Sequence, residues 1–181
     1  MSYKYQICGF NLLSQIKLPI LRKIDFEKPD FEIILRNDIQ IANETIEVLE
    51  GGDVLFNDLH QNIFKISCQK IYISIKDNKY NEAANSVLGV PLGYLLQNND
   101  FQVLHGSAVT KSNLGYSFIG KSGIGKSTIA LSLLNKGFKL LTEDLCVVKD
   151  IHIYNFSNWI KSSDNNLVEA LKPIERIRLK K

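Results

Sequence analysis

Residues 116–128 read Tyr116-Ser117-Phe118-Ile119-Gly120-Lys121-Ser122-Gly123-Ile124-Gly125-Lys126-Ser127-Thr128. A short apolar run stops at a glycine that opens Gly-Lys-Ser, a second Gly-Lys-Ser follows five residues later, and a helical period starts at once. The stretch 120–127 meets G-x-x-x-x-G-K-[ST] at every constrained position. Average residue usage makes a chance match in a chain of this length about a 1 in 150 event. Gly120, Gly123 and Gly125 let the backbone turn tightly and bring its N–H groups close to an anion, and the helix that follows adds partial positive charge. Lys126 has the reach for β- and γ-phosphates, and Ser127 offers a hard oxygen for Mg²⁺. The segment therefore implies a nucleoside triphosphate bound with magnesium. Its expected contacts are Gly120, Ser122, Gly123, Ile124, Gly125, Lys126, Ser127 and Thr128.

Outward from this loop, a helix is predicted over Lys126 to Lys136. Ile129, Ala130, Leu133 and Leu134 form its apolar stripe, and Gly137 sits where an αL cap would close it. Phe138 to Thr142 reads as the next strand, and Glu143-Asp144 ends it. Phosphate chemistry needs a carboxylate there, to hold metal or take a proton. Asp144 is the first candidate for metal, together with Ser127, and Glu143 for the complementary role. Upstream, Val103 to His105 and Ala108 to Lys111 read as two short strands, so His105 stands at a strand end beside the loop. Strand, glycine loop, helix, strand is an α/β signature. Leu145 to Val148 and Ile151 to Phe156 are predicted to form a hairpin about Lys149-Asp150, and a last helix is predicted near Asp164 to Leu171, before Pro173.

The first half alternates with the period of half-buried strands: Phe31, Ile33 and Leu35, then Phe64, Ile66 and Cys68, then Ile71, Ile73 and Ile75. Turn signals fall at Lys28-Pro29-Asp30, Gly51-Gly52-Asp53 and Asp77-Asn78-Lys79. From Asn81 to Gln97 the period becomes helical, with Val87, Leu88, Leu92, Leu95 and Leu96 on one side and a break expected at Pro91. This predicts a β-rich region 1–98 and a nucleotide-binding core 99–181, packed together as one unit of mixed α/β class.

Composition narrows the class. The 181 residues are 45% apolar and 23% charged, which suits a globular protein and excludes disordered and fibrous ones. Twenty-two Lys and Arg against nineteen Asp and Glu leave +3, too mild and scattered to imply nucleic acid. Cys8, Cys68 and Cys146 lie far apart without metal-ligand spacing, and imply reduced thiols in the cytoplasm. Residues 1–21 are interrupted by charge and carry no cleavage signal, and no stretch approaches the roughly 20 apolar residues of a membrane span.

Taken together, Leu104-His105-Gly106-Ser107-Ala108-Val109, the glycine loop, and Gly137-Phe138-Lys139-Leu140-Leu141-Thr142-Glu143-Asp144 resemble the C-terminal catalytic domain of HPr kinase/phosphorylase. They resemble above all its stand-alone relatives in bacterial peptide-modification clusters. That family is distantly related to ATP-dependent phosphoenolpyruvate carboxykinase, which shares the His-Gly-Ser and P-loop arrangement. The resemblance implies a P-loop kinase fold and transfer of a γ-phosphoryl to a serine of a peptide or protein. It implies His105 near the γ-phosphate, Glu143 or Asp144 as base, and Lys126 with Mg²⁺ holding charge. It also implies a homo-oligomer. The family's usual pair is Asp-Asp, so Glu143 places its carboxylate one methylene further out. The rival expectations are a shortened, non-catalytic nucleotide-binding module and a plain P-loop NTPase. The second lacks support from any Asn-Lys-x-Asp or Leu-Ser-Gly-Gly element.

Overall fold

In the computed structural model, residues 1–41 and 46–155 are described in full, and residues 159–161, 167–169 and 176–179 by their backbone. The chain is mixed α/β and divides into two compact units. One comprises Met1–Gln6, Phe10–Pro19 and Lys23–Asn99, and the other Ile7–Gly9, Ile20–Arg22 and Asp100–Lys181.

The first unit is built on an eight-stranded sheet. Its strands are β1 (Tyr3–Ile7), β2 (Phe10–Ser14), β3 (Arg22–Lys23), β4 (Phe31–Leu35), β5 (Glu47–Val48), β6 (Val54–Asn57), β7 (Ile63–Ile66) and β8 (Lys70–Ser74). They lie in the order β3-β1-β2-β4-β8-β7-β6-β5. The predicted alternation holds: Phe31, Ile33, Phe64, Ile66, Ile71 and Ile73 are all buried. Cys68 departs from it. Ser67 N–H donates to the Lys70 carbonyl at 2.9 Å, which closes the β7–β8 turn early and leaves Cys68 exposed at its tip.

The expected broken helix is two helices, α1 (Tyr80–Val87) and α2 (Val90–Gln97). Gly89 leaves helical geometry at ψ −116°, and Pro91 in the first turn of α2 has no N–H to donate back toward α1. The pair buries Ala83, Ala84, Val87, Leu92, Leu95 and Leu96. Two buried hydroxyls in this unit are satisfied, whereas Asn57 Oδ1 has no hydrogen-bond partner among the described residues. Leu18 N–H donates to the Tyr5 hydroxyl at 2.8 Å, and Ser14 Oγ donates to the Ile16 carbonyl at 2.7 Å.

The second unit centres on β9 (Gln102–Lys111), a continuous ten-residue strand where the sequence predicts two short ones. Gly106 and Ser107, which look like a break, lie inside the ladder. The other strands are β10 (Leu114–Ile119), β11 (Lys139–Thr142), β12 (Leu145–Lys149), β13 (His152–Tyr154), β14 (Trp159–Lys161), β15 (Leu167–Glu169) and β16 (Arg176–Leu179). Helix α3 (Lys126–Leu134) joins β10 to β11. Both flank β9 and run antiparallel to it, so β10-α3-β11 is a parallel crossover that straddles a third strand. β10 also pairs with β16, β16 with β13, β13 with β12 and β12 with β9, so five strands close into a ring. The β12–β13 hairpin turns at Asp150, whose φ is +55°.

One face of β9 packs Ala108 with Leu141, Cys146, Val148 and Ile153. The other packs Val109 with Ala130 and Leu140, against Tyr116, Phe118, Leu133, Leu134 and Phe138. Ile129, expected in the apolar stripe of α3, is instead 46% exposed. At about 100° per residue it lies about 40° beyond Leu133 and about 100° from Ala130 on the helix wheel, at the edge of the stripe, and the packed cluster takes in Ala130, Leu133 and Leu134 but not Ile129. The helix predicted near Asp164 to Leu171 is contradicted where the structure describes it. The backbone of Leu167–Glu169 is extended and pairs antiparallel with β14, as suits a stretch centred on β-branched Val168. The rest of that prediction lies outside the described residues. Among the described residues, no helix is long and apolar enough to cross a membrane.

Candidate functional site

Three sequence elements meet on β9. Residues 106–111 pair with β10, ending at Gly106 opposite Ile119, and residues 102–105 pair with β12, ending at His105 opposite Leu145. Ile119 is the residue before Gly120, and Leu145 the residue after Asp144. The adjacent residues 105 and 106 thus hold the mouth of the glycine loop on one edge of β9 and the carboxylate turn on the other.

Gly106 is the closest point of this junction. A Cβ there would lie 2.5 Å from Ile119 Cδ1, 2.8 Å from the Phe118 carbonyl oxygen and 3.5 Å from Cys146 Cβ. The Gly106 N–H donates to the carbonyl of Asp144 at 3.1 Å. His105 Nδ1 lies 3.2 Å from the same carbonyl. A carbonyl only accepts, so this bond fixes the proton on Nδ1 and leaves Nε2 as the acceptor of an exposed ring.

The turn itself is tight. Leu145 N–H donates to the Glu143 carbonyl at 2.8 Å, across an Asp144 held at φ +65°. A three-residue turn around a positive φ is rare and strained. It is held by the buried Thr142, whose Oγ1 donates to the Leu145 carbonyl at 2.7 Å, and it follows a bulge in β11 between Leu140 and Thr142. The outcome is an exposed Asp144 side chain beside a half-buried Glu143.

In the loop, Gly123 and Gly125 take φ of +79° and +94°, conformations that a Cβ would strain. Lys126 is only 8% exposed. Its Nζ donates to the carbonyls of Gly120 at 2.9 Å and Lys121 at 2.8 Å, so the ammonium braces the loop and lies against its rim. Among the described residues no side chain caps the first turn of α3, and its N–H groups are left for an incoming acceptor. Ser127 is half-buried, while Ser122, Ile124 and Thr128 are exposed. The donor set of backbone N–H groups, one ammonium and one hydroxyl suits a phosphate chain. Among the described residues, no three His, Cys, Asp or Glu side chains gather to hold a metal unaided. A magnesium ion carried by phosphates needs only one or two protein oxygens, which Ser127 and Asp144 can offer. Two open grooves of about 530 and 420 Å³ lie elsewhere, in the first unit around Arg36 and Asp38, and contain no loop residue.

Below the junction, burial pushes the Cys146 thiol up to about 11, partly offset by a hydrogen bond with Ser117. Burial also raises the Cys8 thiol. At pH 8 about one Cys146 in a thousand is thiolate. A thiol reagent should therefore label Cys68 rapidly in the folded protein, and Cys8 and Cys146 only after denaturation. Fast labelling of all three would mean that the core strands open freely.

The class that fold and junction define is a mixed α/β protein with a glycine loop opening a helix. The particular kinship comes from sequence. No family model matches. The chain is similar to the HPr kinase/phosphorylase of Chlorobium phaeovibrioides, 38% identical over 74 residues, which are 41% of this chain and 21% of that protein. The enzyme of Chlorobaculum tepidum is 43% identical over 74 residues, 41% of this chain and 21% of the relative. That of Clostridium beijerinckii is 48% identical over 48 residues, 26% and 16%. The chain thus spans about a fifth of the length of the curated relatives it matches. Over that segment it is related to HPr kinase/phosphorylase.

Proposed function

We propose that this protein is an HPr-kinase-like phosphotransferase that moves the γ-phosphoryl of ATP, bound with Mg²⁺, to a serine hydroxyl of a peptide or protein. The observation that carries this reading is the junction on β9, where adjacent residues tie the loop mouth and the carboxylate turn to one strand. In-line transfer needs a phosphate cradle and a base held at fixed separation.

In this reading the N–H groups of residues 120–128 and the Lys126 ammonium hold the β- and γ-phosphates, with Lys126 exchanging loop carbonyls for phosphate oxygens. Ser127 and Asp144 hold the metal, which supplies charge neutralisation of the phosphates. Glu143 or Asp144 accepts the serine proton as the serine oxygen bonds to the γ-phosphorus and the bond to the β-phosphate oxygen breaks. His105, with its proton fixed on Nδ1, presents Nε2 as an acceptor to the incoming hydroxyl.

The test is incubation with Mg-ATP labelled on the γ-phosphate and a panel of serine-containing peptides and proteins. The expected result is label on serine. Tight nucleotide binding with no transfer to any acceptor would leave a nucleotide-binding module, and release of inorganic phosphate alone a simple NTPase.

A further inference from the structure

Ser107 is 1% exposed, and its Oγ has no hydrogen-bond partner among the described residues. Other buried hydroxyls behave differently: Ser14 donates to Ile16 and Thr142 to Leu145. A buried hydroxyl without a partner costs about 1–3 kcal/mol, so the position of this one calls for an explanation.

Its surroundings supply one. Ser107 is opposite Phe118 in the β9–β10 ladder, and opposed residues share a face. Phe118 belongs to the cluster packed on α3, as does Val109, two residues further along β9. Ser107 therefore points to the face that α3 covers, and His105, two residues the other way, lies on that face too. Both β9 and α3 run away from the glycine loop. Val109 packs with Ala130. Moving two residues back along the strand is about 6.6 Å, which is about four residues back along a helix. That reaches Lys126 at the start of the first turn, and Ser127 is the next residue along it. Ser127 is one turn before Ala130, on the same side of the helix.

We infer that Ser107 is a positioning residue of the phosphate cradle, acting through Ser127. Its hydroxyl is the acceptor for the Ser127 O–H when the Ser127 oxygen gives a lone pair to a divalent cation. A hydroxyl bound to a cation is a stronger donor and needs an acceptor on the side away from the metal. A buried oxygen under the first turn of α3 provides it. The arrangement also orients the Ser127 lone pair toward the cation. This inference rests on the proposed magnesium-nucleotide site.

The test compares Ser107→Ala and Ser107→Thr with the natural protein in three measurements. The first is the thermal midpoint without nucleotide. The others are affinity for ATP with Mg²⁺ and affinity for ATP in EDTA. The alanine variant should keep or raise its midpoint, because it removes a buried hydroxyl that bonds to no described residue and costs stability while unpaired. It should bind Mg-ATP about tenfold more weakly and metal-free ATP within twofold, and threonine should restore most of the Mg-ATP affinity. Unchanged Mg-ATP affinity in Ser107→Ala overturns the role, and so does an equal loss with and without metal. A midpoint lowered by several degrees overturns it too, since Ser107 would then be satisfied within the fold. If the natural protein binds no nucleotide at all, the site reading fails and takes this inference with it. Binding by the natural protein with no effect of the substitution sinks the inference alone.

Discussion

Gly106→Ala should destabilise the second unit by about 3 kcal/mol and weaken phosphate binding with it, although it adds a single methyl group. Of the atoms that the new Cβ meets, Ile119 Cδ1 at 2.5 Å can swing away, because it is the end of a half-exposed side chain. The Phe118 carbonyl at 2.8 Å cannot, since it is backbone in the β9–β10 ladder. Relief requires the two strands to part by several tenths of an ångström at the residue pair that sets the loop mouth. The control is Gly137→Ala, where φ is +81° but nothing lies within 4 Å of the added carbon. Only conformational strain of about 1 kcal/mol is expected there. Urea denaturation of both variants separates the effects. A Gly106 variant no less stable than the Gly137 variant would mean that the close approach does not exist.

Lys126→Ala should lower affinity for a nucleoside triphosphate at least 100-fold and also loosen the loop. Each charge-assisted hydrogen bond is worth about 1.5–3 kcal/mol, and the ammonium can make two or more to phosphates. What the folded protein itself loses is two contacts to the loop carbonyls of Gly120 and Lys121, near the surface. Lys126→Arg should not restore binding, because the planar guanidinium is larger than the space an 8% exposed ammonium fills against those carbonyls. Isothermal titration with Mg-ATP reads both variants. Near-natural affinity in Lys126→Ala would remove the loop from the site.

These expectations differ in how far the sequence alone supports them. The loop from Gly120 to Thr128 is legible because its demands are local: positive φ at glycines, a lysine and a hydroxyl at fixed offsets, and a helix beginning directly afterwards. The break around Gly89 and Pro91 and the turn at Asp150 are legible for the same reason. Gly106 misleads. As a residue type it signals interruption, whereas here it permits two strands to approach, and that need arises only once Phe118 and Ile119 lie alongside. Ile129 misleads in the opposite sense: periodicity gives the apolar stripe of α3 but not how far round the helix the packing against it reaches. At Leu167–Glu169 three residues could continue a helical pattern, and pairing with β14 outweighs that weak local preference. Ser107 leaves no trace in sequence, because its burial and lack of a partner depend on β10 and α3 together. The same holds for the shared carbonyl of Asp144, which joins residues 39 positions apart in the chain.

The hold of β9 on both sides of the site also bears on how the site can fail. Its two anchor pairs, Gly106 with Ile119 and His105 with Leu145, are successive rungs on opposite edges of one strand. If β9 slides, both anchors move by the same step, so neither half of the site can be lost while the other survives. The far end of the β9–β10 hairpin carries no such constraint, because Ser112 and Asn113 turn there at φ of +51° and +61°, away from the anchors. Sequence drift and inserted residues can therefore accumulate at that tip without disturbing the anchors, whereas a one-residue insertion between Leu104 and Ser107 would dismantle loop mouth and carboxylate turn in a single event.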